Sequence, residues 1–279
     1  MPVPFYALLA TFDGPRRIEE QPEPFNNAVC QAVLAVEVVS CMLVSIHIPK
    51  TGGTTLRESV LKPALGDRLK MDYGDKPLAT EVSVRNESAL AYEPPPDLAS
   101  RYDCVHGHFL ATKYLSNNFS CQFAVWFRDP VQRMVSRYFD GKRTEGSLVT
   151  PGMSLAEFCE IEKFHNTYAS YMWNFSFDRL DFVGIVEDYE DSLAIFCRRF
   201  DIHAPRTLRP RNENPTKTST QRYEVSAELA ALIRRKNGED VEMYDQALAI
   251  HKRDKKEELR LPSWRVWSRL RFRQRHRHQ

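Results

Sequence analysis

The chain has 279 residues, of which 42% are hydrophobic and 27% charged, and its formal net charge is +2 at pH 7. These values are typical of a soluble globular protein that is long enough to fold without disulfide bonds or structural metal ions to stabilise it. A net charge this close to zero gives no indication of a nucleic-acid partner, and we expect no specific one.

The first elements follow an irregular start. Residues 1–40 carry several prolines and no steady hydrophobic period, which predicts an N-terminal leader outside the folded domain. Residues 42–48 are rich in Val, Ile and Leu and predict a buried strand of a parallel sheet. A helix is predicted over residues 54–61, and Pro63 limits its length. From there to Pro96 the pattern weakens and predicts a loop with short elements.

The second half of the chain alternates strands with helices. Residues 121–127 are apolar and aromatic and predict a second buried strand, after which Asp129 caps a helix and Pro130 suits its first position. The remaining predicted elements are a helix over 154–164, a strand over 181–186, and helices over 188–200, 224–236 and 239–252, the last two separated by Asn237-Gly238.

This alternation predicts an α/β fold: a single domain with a central parallel sheet flanked by helices on both faces. We place the domain at residues 41–253 and a basic C-terminal tail at residues 254–279.

Neither a metal centre nor a membrane segment is expected. The six cysteines are scattered, without a C-x-x-C pair or a histidine at ligand spacing, which argues against a zinc site. The most membrane-like stretch, residues 28–48, is interrupted by Gln31, Glu37 and His47, and a carboxylate near the middle of a membrane span is costly. The first residues also lack the basic start of a signal peptide. We therefore expect a cytoplasmic or otherwise soluble chain.

The first motif is SIHIPKTGGTT, residues 45–55, between the first predicted strand and helix. Its two glycines let the backbone approach a ligand, and the N-terminus of the helix directs unpaired N–H groups at the same place. These features indicate an anion site, to which Lys50 adds a charge and three threonines add hydroxyl groups. The alternative is an ordinary strand-to-helix turn with a solvated lysine. A nucleoside-triphosphate P-loop does not fit, because Lys50 precedes the glycines.

The second motif is FRDPVQRMVSRYF, residues 127–139. Arg128 stands at the end of the second strand and Ser136 follows two helical turns later, so that a guanidinium and a hydroxyl can surround one phosphate. The alternative is a surface arginine and an ordinary helix serine.

Together the two motifs resemble the nucleotide-binding loops of sulfotransferases that use 3′-phosphoadenosine 5′-phosphosulfate (PAPS), in their order, their strand-loop-helix context and the spacing from Arg128 to Ser136. The resemblance implies a P-loop-like domain with PAPS as co-substrate and no metal. It assigns the 5′-phosphosulfate to Lys50, Thr51, Gly52, Gly53, Thr54 and Thr55, and the 3′-phosphate to Arg128 and Ser136.

The third motif, VHGHF at residues 105–109, resembles the catalytic segment of the heparan sulfate and uronyl 2-O-sulfotransferases. This resemblance implies that His108 is the base that takes the acceptor proton, and that His106 orients it or contacts the acceptor. The alternative is a metal-binding pair or two structural histidines. The later segment NENPTKT resembles a loop that closes over the nucleotide in the same group, which makes Thr216 and Lys217 candidates for that contact.

The resemblance covers about residues 41–253 and implies transfer of a sulfo group from PAPS to a hydroxyl of a carbohydrate acceptor, glycosaminoglycan-like or another glycan. Lys50 stabilises the charge of the leaving nucleotide in this scheme and is therefore a catalytic candidate beside the histidines. The alternative is a non-catalytic module that binds a nucleotide or a polyanion on the same scaffold. A nucleotide kinase lacks support, because the Walker order is missing.

The end of the chain is basic, with seven arginines, two histidines and no acid over residues 259–279. This pattern predicts either a contact with an anionic surface or a solvated extension. The anchoring helix and stem of the Golgi enzymes are not found in the sequence, so the Golgi lumen is expected only for a eukaryotic chain whose anchor is missing. Nothing in the sequence indicates an oligomeric state.

Overall fold

The computed structural model describes residues 41–115, 119–203 and 222–260. The N-terminal leader, the candidates Thr216 and Lys217, and the tail beyond residue 260 lie outside the described residues. Five strands form one sheet in which every neighbouring pair is parallel, in the order β2-β3-β1-β4-β5. The strands are β1 (Cys41–Ile46), β2 (Leu69–Asp72), β3 (Cys104–Gly107), β4 (Ser120–Phe127) and β5 (Leu180–Ile185). The predicted α/β class and parallel central sheet are confirmed.

Helices surround this sheet, with short 3₁₀ turns between some of them. Helix α1 is continuous over three segments: Gly53–Leu56, a π-helical turn at Arg57–Leu61, and Lys62–Leu65. The other helices are α2 (Val82–Leu90), α3 (Leu98–Arg101), α4 (Pro130–Arg143), α5 (Leu155–Phe158), α6 (Thr167–Tyr171), α7 (Tyr189–Arg199), α8 (Ala227–Lys236) and α9 (Gly238–Arg260).

The central strands are buried on both faces, which is why they are apolar over their whole length. Leu43 of β1 and Trp126 of β4 pack in one core with residues of α1 and α7. Val44 and Val125, which point the other way, pack in a second core with residues of α6 and α9. Helices therefore cover both faces of the sheet, as predicted.

Two predicted helix boundaries were wrong. Helix α1 does not end before Pro63 but continues to Leu65, and its π-helical turn ends at Leu61, two residues before the proline. Proline lacks an N–H group and crowds the carbonyl four residues earlier, and the wider π turn avoids that conflict. The single helix predicted over residues 154–164 breaks after Phe158, and only a 3₁₀ turn follows at Glu162–Phe164.

The last helix is longer than predicted and ends at Arg260. Asp188, which precedes α7, accepts hydrogen bonds from His251 Nε2 at 2.9 Å and Lys255 Nζ at 2.8 Å on α9. These contacts fasten α9 beside β5 and α7, so the folded part continues past residue 253. Among the described residues, no helix has both the length and the apolar character needed to cross a membrane.

Candidate functional site

The carboxyl ends of β3, β1 and β4 lie side by side at one edge of the sheet. The chain leaves β1 towards β2 and β3, and after β3 it crosses to β4 on the other side of β1, so the strand order reverses between β1 and β4. In open parallel sheets, ligands bind outside the carboxyl ends of the strands at such a switch point. Lys50 follows β1, Arg128 follows β4 and His108 follows β3, so the sheet brings all three predicted residues to this edge.

The loop between β1 and α1 is a tight turn. Lys50 and Gly52 have positive φ angles of 70° and 82°, and a Cβ at Gly52 would lie 2.9 Å from Cε2 of Tyr189. Thr51 is fully buried and its hydroxyl donates to the Ile48 carbonyl at 2.8 Å, so this hydroxyl holds the turn together. Thr54, in the first turn of α1, is only partly buried. The loop therefore offers backbone N–H groups and the Lys50 charge at the helix N-terminus.

The Lys50 ammonium pairs with a carboxylate that the sequence motifs did not reveal. Its Nζ lies 3.0 Å from Oδ1 of Asp140, one helical turn beyond Ser136 on α4. Burial lowers the pKa of Lys50, and the charge of Asp140 opposes this effect. Arg137 and Arg143 each approach the same carboxylate to 3.8 Å. Asp140 is therefore shared among three cations, and Lys50 can leave it for an anionic ligand without leaving it unpaired.

Three histidines stack behind this loop. The His47 ring lies between the other two, with ring centroids 5.0 Å from His106 and 4.4 Å from His108. His106 is only 1% exposed, and its Nδ1 lies 2.9 Å from the Ser45 hydroxyl. Burial is the main cause that lowers the pKa of His106 to about 3. His106 is thus a neutral ring that is buried inside the protein.

The geometry of His108 fixes its tautomer. Its Nδ1 lies 2.5 Å from the backbone carbonyl oxygen of His47. A carbonyl can only accept a hydrogen bond, so Nδ1 carries the proton and Nε2 of the neutral ring has a free lone pair. The ring is partly exposed, and burial, as the main cause, lowers its pKa. His108 is therefore neutral near pH 7 and able to accept a proton at Nε2.

Aromatic and cationic side chains surround this imidazole. The Tyr73 ring meets His108 edge-on with centroids 4.7 Å apart, and the Tyr171 ring does so at 6.2 Å. The Tyr73 hydroxyl lies 2.9 Å from His47 Nδ1 and accepts a hydrogen bond from Arg57 Nη1 at 3.2 Å. The Tyr73 hydroxyl therefore connects the Arg57 guanidinium to the His47 ring through two hydrogen bonds. This chain of contacts sets the position of the His47 ring that His108 stacks on.

Arg128 extends from the end of β4 towards the Lys50 loop. Its Nη1 lies 3.5 Å from the Lys50 carbonyl oxygen, and its Cζ lies 5.6 Å from the centre of the Tyr223 ring. In the described part of the chain no carboxylate forms a close ion pair with it, although the charge of Arg128 acts on the Glu187 carboxyl and lowers its pKa against the larger effect of burial. The buried Nε of Arg128 has no hydrogen-bond partner there. Ser136 is buried two turns along α4. A buried guanidinium that forms no close ion pair is suited to an anionic ligand.

A cavity of about 300 Å³ opens beside the Lys50–Asp140 ion pair, and Lys50, Arg128 and His108 are not among its lining residues. Asp140 and Arg137 of α4 form part of its wall, and Phe158, Phe164 and Leu148 form an apolar part. The lining therefore combines apolar surface with a few charged groups, as is usual for small-molecule pockets.

No protein-family model matches this chain, and no curated protein matches it. Within the described residues, no group of three or more histidine, cysteine or acidic side chains is arranged to hold a metal ion. The sequence missed Asp140, Tyr73 and His47 as parts of the site. Only His47 had a signal, since it lies inside the first motif, five residues from the first glycine of that motif.

Proposed function

We propose that this chain is a PAPS-dependent sulfotransferase, on a P-loop-like scaffold, that transfers a sulfo group to a hydroxyl of a carbohydrate acceptor. The observation that carries the proposal is the arrangement of Lys50, Arg128 and His108 at neighbouring carboxyl ends of β1, β4 and β3. The β1 loop and the N-terminus of α1 suit a 5′-phosphosulfate, and Arg128 with Ser136 suits a 3′-phosphate. The resemblance of the motifs supplies the identity of this nucleotide.

The reaction is an in-line displacement at sulfur. The acceptor oxygen forms a bond to sulfur while the bond from sulfur to the bridging phosphate oxygen breaks, which gives a sulfate ester and adenosine 3′,5′-bisphosphate. His108 Nε2 takes the hydroxyl proton, because Nδ1 is already protonated towards the His47 carbonyl. Lys50 moves from Asp140 to the bridging oxygen and stabilises the negative charge that develops there.

The acceptor lies near His108 in this scheme, where Tyr73 and Tyr171 supply aromatic surface and Arg57 supplies a charge. The cavity beside Asp140 is close enough to the Lys50 ammonium to hold a neighbouring part of the acceptor. The location of the chain and the role of its basic tail stay predictions from the sequence.

The test compares the purified full chain with His108→Ala and Lys50→Ala, using PAPS and a panel of glycans and small alcohols. We expect His108→Ala to bind adenosine 3′,5′-bisphosphate like the wild type and to turn over about 10² to 10⁴ times more slowly, because only proton removal is lost. Lys50→Ala is expected to lose about 10² to 10³ in rate.

A matched control is His165→Ala, since the His165 ring also contacts a backbone carbonyl, that of Cys159 at 2.7 Å, but lies outside the proposed site. Turnover in this variant is expected to equal that of the wild type. If no acceptor is sulfated while the bisphosphate still binds, the alternative of a non-catalytic nucleotide-binding module is favoured. A requirement for Mg²⁺ and ATP would instead indicate a kinase.

A further inference from the structure

Arg128 begins where the strand ladder of β4 ends. The last pair between β1 and β4 is Ile46 with Val125, and the last pair between β4 and β5 is Ile185 with Phe127. The backbone N–H and C=O of Arg128 are therefore beyond the reach of both neighbouring strands. Buried backbone groups need partners, so another part of the chain has to satisfy them.

One phenol satisfies both groups. The Tyr168 hydroxyl accepts a hydrogen bond from the Arg128 N–H at 3.1 Å and donates to the Arg128 carbonyl oxygen at 2.5 Å. Tyr168 is fully buried, and burial raises the pKa of its phenol, so the hydroxyl keeps the proton that it donates. Tyr168 thus makes the two hydrogen bonds that a neighbouring strand would otherwise make to the backbone of Arg128.

Tyr168 is itself held from three sides. Its backbone N–H donates to Asp240 Oδ1 at 2.7 Å, and the Arg133 guanidinium lies 5.3 Å from the centre of its ring. Arg133 and Asp240 form an ion pair at 3.2 Å, with side chains only 1% and 0% exposed. The Phe127 ring packs edge-on against the Tyr168 ring at 5.0 Å. Little rotational freedom remains for the phenol under these contacts.

We propose that Tyr168 is a positioning residue for Arg128, and that its hydroxyl fixes the backbone from which the guanidinium reaches the 3′-phosphate of the nucleotide. The inference rests on the proposed function, because it assumes that Arg128 binds this phosphate. Tyr168 itself lies inside the core and touches no ligand. Its effect is to fix the position of the Arg128 backbone. A small displacement of that backbone moves the guanidinium out of hydrogen-bond reach of the phosphate.

The test measures the affinities for adenosine 3′,5′-bisphosphate and for adenosine 5′-monophosphate in the wild type and in Tyr168→Phe. This variant removes one oxygen, keeps the ring packing and leaves two backbone groups of Arg128 unpaired. We expect the preference for the bisphosphate to fall about tenfold, while the affinity for the monophosphate stays unchanged. If Tyr168 had a merely structural role, the variant would lower the affinity for both nucleotides equally and leave the preference for the bisphosphate unchanged.

The matched control is Tyr138→Phe, because the Tyr138 hydroxyl also donates to a backbone carbonyl, that of Met153 at 2.7 Å, away from Arg128. Its preference is expected to equal that of the wild type. Arg128→Ala distinguishes a failure of the positioning role of Tyr168 from a failure of the 3′-phosphate assignment. If Arg128→Ala loses the preference and folded Tyr168→Phe keeps it, the positioning role is wrong. If Arg128→Ala keeps the preference, the assignment of the 3′-phosphate is wrong.

A second variant covers the case in which Tyr168→Phe does not fold. Asp240→Asn keeps an oxygen for the Tyr168 N–H but removes the charge that pairs with Arg133, so it loosens the phenol without removing it. We expect a smaller fall in the same preference, with an unchanged affinity for the monophosphate. An unchanged preference in folded Asp240→Asn overturns the inference.

Discussion

The buried imidazole of His106 makes the stability of the fold depend on pH. Its pKa is lowered to about 3, mainly by burial, while an unfolded histidine has its ordinary pKa of about 6.5. Below that value the unfolded chain binds a proton that the folded chain does not, so the free energy of unfolding falls as the pH falls through the window from about 6.5 to about 3. At about pH 5 the difference is about 1.5 pH units, or about 2 kcal/mol.

Replacement of this ring by His106→Asn is expected to remove that part of the pH dependence. The free energy of unfolding is measured by urea denaturation at about pH 7.5 and about pH 5, and the loss between the two is compared. In the variant this loss should be about 2 kcal/mol smaller than in the wild type, whatever its stability at the higher pH.

Ser45→Ala is the matched control, because it removes the hydrogen-bond partner of His106 but leaves a buried ring that titrates. Its pH dependence is expected to equal that of the wild type, since burial is the main cause of the shift. Equal losses in His106→Asn and in the wild type would refute the reasoning, because the ring would then take its proton as easily in the folded state as in the unfolded one.

Two further substitutions test the packing around the site. Asp240→Ala leaves the buried Arg133 guanidinium without its carboxylate, and we expect a loss of about 3 to 5 kcal/mol in the free energy of unfolding. Asp97→Ala, in an exposed pair, is expected to lose about 1 kcal/mol or less, and an equal loss in both variants contradicts this expectation. Gly53→Ala places a Cβ against the His47 ring and should cost about 1 to 3 kcal/mol by thermal or urea unfolding. A wild-type value for Gly53→Ala would show that the ring moves away freely.

The buried strands and the order of the site loops could be predicted from the sequence, because both depend on local patterns. The apolar runs that became β1 and β4 are long and buried on both faces, which gives a clear signal. β2 and β3 each have only four residues, with charges in one and a histidine and a glycine in the other. The pattern predicted a loop with short elements at β2 and no element at β3. Pairing with neighbouring strands, which no local window contains, makes them strands.

The site shows the same division. Lys50 and Arg128 follow predicted strands and could be placed at one edge from the sequence, whereas His108 follows β3, which was not predicted, and was singled out by the resemblance of its motif. Asp140 and Tyr73 could not, because their roles depend on helix and loop positions set by the whole fold. His106 was expected to orient the base or contact the acceptor. The two histidines of this motif differ in position, because His106 lies within β3 and His108 follows its last residue. That difference puts one ring in the core and leaves the other partly exposed.

The central position of β1 determines when the proposed nucleotide site can form during folding. β1 pairs with β3 and β4 but not with β2, the strand that follows it in the chain, so both of its ladders close long loops. Contacts between residues distant in sequence form slowly, because loop closure costs entropy before any contact offsets it. A nascent chain in which β4 has not yet been synthesised contains the whole Lys50 loop. It contains only β3 of the two strands that pair with β1 and position this loop. Affinity for a nucleotide that spans the β1 and β4 loops would therefore arise late in folding, and such a ligand would stabilise the final joining of the two halves of the sheet.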